Sequence, residues 1–342
     1  MTKTAIERIS LAGIKDKIAA IDTDLIVAVV DHNVWTQHSK IFDLQNIDGK
    51  KLILWKAPDG EKGKTLTEYQ SCTEFLIEKG IHRNAHLVAI GGGAVSDFGG
   101  FVASTILRGI YWSIIPTTLL SMVDASIGGK VAVNSKEAKN LIGAFHQPNN
   151  VWIEPRFIET LPKAELMSGR GEVLKYAFLD KELHTIISSD RSLEEIIFAC
   201  AQYKLDLTSA DFKEKGRRKI LNFGHTIGHA LERLYNLPHG EAIVWGIGVI
   251  QKVFADGALL DEVRSLRRRL GWGDEKSPWI NRDFPIDKVM ELVRKDKKSV
   301  STDSLDIVIA REIGSMETKT LSFSEMDAGL RRNLDELKQF TL

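Results

Sequence analysis

The chain is expected to fold as an α/β protein, with a parallel, doubly wound sheet in its first half and a mainly helical second half. Three observations predict this. Short continuous apolar runs alternate with helical spacing as far as Ile115, the pattern of strands buried on both faces and joined by helices. After Pro155 strand signals nearly vanish and helical periodicity takes over. At 342 residues the chain exceeds what one compact core usually holds, so two domains are expected.

Each element has its own warrant. Leu25 to Val30 is a β-branched run that ends in Asp31 and reads as the first strand, and Lys51 to Trp55 reads as the second. Thr65 to Lys79 places Leu66, Tyr69, Phe75 and Leu76 at helical spacing, with Gly80 as the stop. His86 to Ile90 is a third strand that runs into Gly91-Gly92-Gly93 and then a helix from Val95. Tyr111 to Ile115 is a fourth, ended by Pro116, and Asp124 to Gly143 reads as a glycine-rich, weakly structured stretch. Further on, Leu193 to Leu207, Arg217 to Tyr235, Glu241 to Gly257 and Asp287 to Lys295 read as helices. Leu305 to Ala310 stands as a lone strand, and Gly271 to Pro285, with Trp272 and Trp279, as an irregular connection. There is no internal repeat or low-complexity tract, and a cleft between the two halves is the expected binding site.

Composition excludes several classes. The chain has 46 basic and 46 acidic side chains, so no global positive field would hold nucleic acid or an anionic membrane. Cys72 and Cys200 are isolated, without Cys-x-x-Cys spacing, and read as packed thiols in a reducing compartment. The first residues lack the apolar core of a signal peptide, and no apolar run approaches the ~20 residues of a membrane span. A cytoplasmic protein is expected.

Three groups of residues could carry chemistry. Gly91-Gly92-Gly93 lies between a buried strand and a helix, where glycine lets the backbone approach a phosphate or dinucleotide and the helix N-terminus supplies N–H donors. A plain tight turn is the bland alternative. Asp31 could accept hydrogen bonds from a ribose or simply cap a helix, and Asp97 could touch a cofactor or offset the helix dipole. His225 and His229 stand at i and i+4 on one helical face, His239 follows in His-Gly-Glu, and Glu172 lies upstream. Histidines with one carboxylate are a common catalytic zinc set, and spacing alone nominates His225 and His229 as the ligand pair. Arg108, Lys130, Lys139, Asn140, Lys175, Lys204, Arg218, Asn222, Lys297 and Lys298 sit largely in apolar or glycine-rich contexts. Any one of them could be a solvated surface group, but together they suit a substrate carrying phosphate and carboxylate.

Long stretches of the chain also match a known family. They include Gly91-Gly92-Gly93-Ala94-Val95-Ser96-Asp97-Phe98-Gly99-Gly100-Phe101, Arg108-Gly109, Pro116-Thr117-Thr118-Leu119-Leu120 and Asp124-Ala125-Ser126-Ile127-Gly128-Gly129-Lys130. Lys139-Asn140-Leu141-Ile142-Gly143-Ala144-Phe145, Gly171-Glu172-Val173-Leu174-Lys175-Tyr176, Leu221-Asn222-Phe223-Gly224-His225-Thr226-Ile227-Gly228-His229, His239-Gly240-Glu241-Ala242 and Asp296-Lys297-Lys298 follow in order. In these motifs, from Asp31 to Lys298, the chain resembles the 3-dehydroquinate synthase family of the sugar phosphate cyclases. The resemblance implies a Rossmann-like NAD-binding domain over residues 1–158, a mainly helical metal- and substrate-binding domain over 159–342, and a homodimer. It implies Glu172, His225 and His239 as ligands of zinc, with cobalt a plausible substitute, and turns His229 toward the substrate. Cofactor contacts carried over are Asp31, Glu61, Lys64, Gly92, Gly93, Asp97, Thr117, Thr118 and Thr160. Substrate contacts carried over are Arg108, Asp124, Lys130, Lys139, Asn140, Lys175, Lys204, Arg218, Asn222, His229 and Lys297.

The implied reaction closes 3-deoxy-D-arabino-heptulosonate 7-phosphate into 3-dehydroquinate, a step of the shikimate route to aromatic amino acids. It proceeds by transient oxidation with NAD, β-elimination of phosphate, re-reduction and intramolecular aldol closure, with no net redox change. Three departures stand out. Arg170-Gly171 replaces the usual Leu-Ala, Val131 follows Gly-Gly-Lys where Thr is usual, and the segment between His229 and His239 is slightly short. Rival readings are a sister cyclase (2-deoxy-scyllo-inosose or 2-epi-5-epi-valiolone synthase), a metal-dependent polyol dehydrogenase and a non-catalytic NAD-binding protein. Lys130 after Gly-Gly and Arg218 in Gly-Arg-Arg look more like the carboxylate-handling branch.

Overall fold

In a computed structural model of the protein, residues 4–44, 47, 49–273, 276–296 and 303–342 are described. The chain divides into two compact units, Met1–Pro162 with Ala201–Lys213, and Lys163–Cys200 with Glu214–Leu342.

The first unit is built on β1 (Ala5–Arg8), α1 (Ile14–Ala19), β2 (Leu25–Asp31), α2 (His32–Phe42), β3 (Lys51–Ala57), α3 (Leu66–Glu78) and β4 (His86–Gly91). It continues with α4 (Gly93–Thr105), β5 (Tyr111–Pro116), β6 (Lys130–Val133), β7 (Ile142–Phe145) and β8 (Asn150–Ile153). Six of these strands form one sheet in the order β1-β8-β5-β4-β2-β3, and every pairing in it is parallel. The four strands legible in the sequence are its centre and one edge. Leu25 to Val30 is buried throughout, as is all of β4, which is why these strands read as unbroken apolar runs. β1 and β8, of four residues each, are too short to give a periodic signal.

The sheet order creates a switch point. β2 leads through α2 to the edge strand β3, α3 returns the chain to β4 on the other side of β2, and α4 leads away to β5. The carboxyl ends of β2 and β4 are neighbours whose connections diverge, and ligands of open α/β sheets bind at such a crevice. Asp31 and Gly91-Gly92-Gly93 lie there. Gly99 and Gly100 let α4 sit close between its neighbours. A Cβ at Gly99 would meet the Ala89 Cβ at 3.0 Å, and one at Gly100 would meet Val131 Cγ1 at 2.3 Å. Val131, one of the family departures, therefore packs on the bare backbone of α4. The stretch expected to be weakly structured is instead a hairpin, with β6 antiparallel to β7. Gly128 and Gly129 run into β6, Gly143 interrupts β7, and four residues in each strand are too few for the alternation to show.

The second unit holds α5 (Lys163–Leu179), α6 (Lys181–Ser188), the start of α7 (Leu193–Ala210), α8 (His225–Tyr235), α9 (His239–Phe254), α10 (Leu260–Arg269) and α11 (Ile286–Asp296). β9 (Ser304–Glu312), β10 (Ser315–Ser322), α12 (Phe323–Arg332) and α13 (Leu334–Lys338) complete it. The expected lone strand has a partner: β9 pairs antiparallel with β10. β10 is hidden from pattern reading because Glu317 to Thr320 are all exposed and polar. The helix expected over Arg217 to Tyr235 is broken. Arg217–Asn222 is a 3₁₀ turn, and Gly224, at φ 79°, caps a separate α8. Ala201–Lys213 comes from the helical half yet clusters with the first unit. There Lys204 Nζ donates to the Asp124 carbonyl at 2.7 Å and Phe212 packs edge-on against Phe145.

Glycines also set the helix crossings of the second unit. A Cβ on Gly171 of α5 would lie 2.2 Å from the Gly240 carbonyl of α9, and one on Gly246 of α9 would lie 2.1 Å from the Gly224 carbonyl. α9 thus touches α5 and the start of α8 backbone to backbone. Arg170, the other half of the first departure, donates from Nη1 to the Leu270 carbonyl at 2.7 Å, which ties α5 to the end of α10. The Trp-rich connection is core rather than surface. Trp279 is fully buried, donates to the Leu337 carbonyl at 2.8 Å and stacks edge-on against Trp245. Cys72 and Cys200 are both buried and neither is in a disulfide. Among the described residues no helix is long and apolar enough to cross a membrane.

Candidate active site

At the sheet switch point Asp31 caps α2, its Oδ1 accepting from Asn33 N at 2.9 Å and Val34 N at 3.3 Å. Burial raises its pKa above the usual carboxylate value, against the pull of those backbone donors. α4 begins at Gly93 with Gly92 as its cap and no side chain capping it, so its first N–H groups point out of the strand end. A Cβ on Gly92 would lie 2.9 Å from Thr118 Cγ2, so glycine keeps this approach open. Thr117 lies beside it, its N–H donating to the Gly91 carbonyl at 3.0 Å.

One turn into α4, Asp97 is paired with Lys64, which is itself 2% exposed and also donates to Asn140 Oδ1. Burial pushes Asp97 up to about 6, with Lys64 opposing the rise. Three residues expected to serve two ligands, Lys64 and Asp97 for cofactor and Asn140 for substrate, are thus one hydrogen-bonded cluster. A fourth member was not singled out from sequence. Asn134 accepts from Asn140 N at 3.1 Å, donates to Glu61 Oε2 at 2.7 Å, and its own N–H reaches the Lys64 carbonyl at 2.8 Å. A neutral side chain at the end of a short strand gives no sequence signal of this.

Elsewhere in the first unit Lys204 and Asp124 form an ion pair at 2.8 Å. Lys130 and Lys139 lie exposed on the hairpin, and Arg108 is exposed in a left-handed conformation, φ 69°. Thr160 is exposed, 3.3 Å from His38 Nε2 and far in sequence from the other cofactor candidates.

In the second unit Glu172, His225 and His239 converge, each offering one ligand atom within 4.8 Å of the others. α5 supplies Glu172, while His225 and His239 are the first residues of α8 and α9. Spacing nominated His225 and His229, and that pair is not the cluster formed. The His229 ring centroid is 5.2 Å from that of His225, and His229 lines a small pocket with Thr226, Arg233 and Leu292. A turn between helices brings in His239, which helical spacing cannot anticipate.

The donor chemistry of this cluster fits a divalent cation. His225 Nδ1 faces the Phe223 carbonyl at 3.1 Å, and a carbonyl only accepts, so Nδ1 carries the proton and Nε2 presents a lone pair. That lone pair faces Glu172 Oε1 at 3.4 Å. Two acceptors so placed require positive charge between them. His239 repeats the pattern, with Nε2 at 3.2 Å from the same oxygen and Nδ1 at 3.0 Å from Glu232 Oε2. Burial raises Glu172, but the Lys175 ammonium leads the groups that outweigh it and hold the carboxyl well below its usual range. Burial lowers His225 to about 4, so it is a neutral imidazole as a metal ligand must be. Burial also works against protonated His239, yet Glu172 and Glu232 carry it up to about 10. A proton there holds the place a cation would take.

Lys175 is 1% exposed and pairs with Glu172 one turn away on α5. Arg218 is 2% exposed, and Asn222 donates to Glu214 Oε1 at 2.7 Å. Glu214 and Glu232 were not singled out from sequence; both are ordinary surface-type residues until the fold places them. Lys297 and Lys298 lie outside the described residues.

The fold is that of solved sugar phosphate cyclases. A 2-epi-5-epi-valiolone synthase from Streptomyces hygroscopicus subsp. jinggangensis, solved with NAD+ and Zn2+, superposes with a TM-score of 0.80 at 23% identity, over 98% of this chain and 97% of the other. A 2-deoxy-scyllo-inosose synthase, complexed with carbaglucose-6-phosphate, NAD+ and Co2+, gives 0.77 at 22% identity over 96% of each chain. The sequence is more specific. Residues 54–168 match the model of the 3-dehydroquinate synthase N-terminal domain and residues 169–299 that of the C-terminal domain. A 3-dehydroquinate synthase of Staphylococcus aureus (strain MSSA476) is 35% identical over 332 residues, 91% of this chain and 90% of that protein. The chain therefore belongs to the 3-dehydroquinate synthase family, an enzyme family of phosphate-eliminating cyclases.

Proposed function

We propose that the chain converts 3-deoxy-D-arabino-heptulosonate 7-phosphate to 3-dehydroquinate and phosphate, using NAD and a divalent metal, zinc or cobalt. Family membership supports the reaction. The observation that carries the metal chemistry is the His225 lone pair aimed at the Glu172 carboxylate.

When bound, NAD supplies a reversible hydride acceptor and the metal a Lewis acid for the substrate hydroxyls. Glu172, His225 and His239 would hold the metal. Asp31, Glu61, Lys64, Gly92, Gly93 and Asp97 would line the cofactor, with Thr117, Thr118 and Thr160 beside them. The bare N-terminus of α4 offers backbone N–H groups to a pyrophosphate. Lys175 offers further ammonium donors beside Glu172 and would hold an oxygen of the reacting carbon. Arg108, Asp124, Lys130, Lys139, Asn140, Lys204, Arg218, Asn222, His229 and Lys297 would bind and orient the anionic substrate. Fixing phosphate and carboxylate in this way can supply several kcal/mol of the barrier reduction. Two separate buried thiols suit a reducing cytoplasm, and a homodimer is the assembly we expect.

The test is phosphate release from this substrate with NAD and zinc present, with NADH absorbance followed alongside. Stoichiometric phosphate without accumulating NADH is the expected result. No phosphate from folded, metal-loaded protein would refute this substrate and favour neutral sugar phosphates. Accumulating NADH would instead indicate a polyol dehydrogenase.

A further inference from the structure

We infer that Glu232 is a positioning residue for His239, fixing its tautomer and ring orientation for metal binding; the inference rests on the metal reading of Glu172, His225 and His239. Glu232 stands seven residues after His225 on α8, two turns along the same face. Its carboxylate Oε2 lies 3.0 Å from His239 Nδ1, and a carboxylate can only accept there. Nδ1 therefore carries the proton, and Nε2, 3.2 Å from Glu172 Oε1, is the atom left for a cation.

The two imidazoles are held by different means. His225 leans on the Phe223 carbonyl, 3.1 Å away and two residues earlier in its own chain segment. Among the described residues the partner of His239 Nδ1 is a side chain, and that side chain is an anion, which makes the imidazole a stronger donor to a metal than a carbonyl would. Glu232 also organises the turn that delivers His239. Its backbone carbonyl accepts from the N–H of Asn236, in the left-handed region at φ 50°, and from Leu237 N at 3.2 Å. One residue thus closes the end of α8 with its main chain and fixes the first residue of α9 with its side chain. The short segment between His229 and His239 leaves three residues, Asn236 to Pro238, to turn the chain, so the contact helps define the angle of approach.

The experiment is a zinc titration of chelator-stripped full-length protein in competition with a chromophoric chelator, for the wild type, Glu232→Ala and Glu232→Gln. Glu232→Ala is expected to bind zinc roughly 10–100-fold more weakly. Glu232→Gln should fall between, because an amide oxygen can still accept from Nδ1. The visible absorption of the cobalt-loaded Ala variant should shift, and its kcat should recover as zinc is raised to saturation. Folded Glu232→Ala with wild-type zinc affinity would overturn the inference. If Glu232→Ala loses its far-ultraviolet circular dichroism, the Gln variant decides in its place, and wild-type affinity there overturns the inference equally. A wild-type protein that takes up no zinc would refute the metal reading itself, which separates the two failures.

Discussion

Asn134 holds together a cluster whose charged members attract attention first. Its Oδ1 accepts from the main chain of Asn140, a residue at φ 62°, and its Nδ2 donates to Glu61. Asn134→Asp keeps the first contact and sets a carboxylate against the Glu61 carboxylate in the second. We expect NAD affinity to fall about ten-fold, ~1.4 kcal/mol, in isothermal titration. Adding Glu61→Gln restores a donor opposite the new acceptor and should recover most of the loss. A double variant no better than Asn134→Asp would show that the Glu61 contact is not what Asn134 contributes. At this scale the sequence was legible where charge or rarity drew the eye. Asp31, Asp97 and the histidines stood out in that way, and Lys64 and Glu61 were reached through family resemblance. Asn134, Glu214 and Glu232 were not legible, because a common polar residue acquires a role only from what the fold sets beside it.

Elements bring these residues together through glycine. Gly246 on α9 faces the Gly224 carbonyl and the Gly228 main chain, so a methyl group there would lie 2.1 Å from the first and 2.6 Å from the Gly228 nitrogen. Gly246→Ala must push α8 and α9 apart, at a cost of about 1–3 kcal/mol for overpacking. Because His225 and His239 open these two helices, zinc affinity should fall with stability, while NAD affinity, whose groups lie in the first unit, should hold. Gly273, with nothing within 4 Å of an added Cβ, is the control, and Gly273→Ala should leave both properties unchanged. Denaturation and zinc titration of the two variants measure this. Equal stability of Gly246→Ala and wild type would mean the crossing yields without strain. Buried strands such as β2 and β4 were plain in the sequence because both faces are apolar. The breaks and pairings were not. Gly224 interrupts a continuous helical pattern by its backbone angle, and β10 presents mostly polar side chains, so neither carries a periodic mark.

For the whole molecule, the two expected ligands draw on separate groups, and this makes their contributions separable. The metal donors all belong to the second unit, whereas Asp31, Gly92, Gly93, Asp97, Lys64 and Thr160 belong to the first. A ligand that binds only the native state raises stability by mass action, by about 2.7 kcal/mol at a hundred-fold excess over its dissociation constant. Zinc and NAD should each raise the melting temperature of the wild-type protein. His225→Ala removes one of three metal donors and should abolish turnover and the zinc-dependent rise, yet keep the rise caused by NAD. Differential scanning calorimetry with each ligand alone reads both effects in one series. A full zinc-dependent rise in His225→Ala would move the metal away from Glu172 and His239. Loss of the NAD-dependent rise in the same variant would mean that removing one imidazole disturbs the sheet unit as well, and the separation of the two sites would fail.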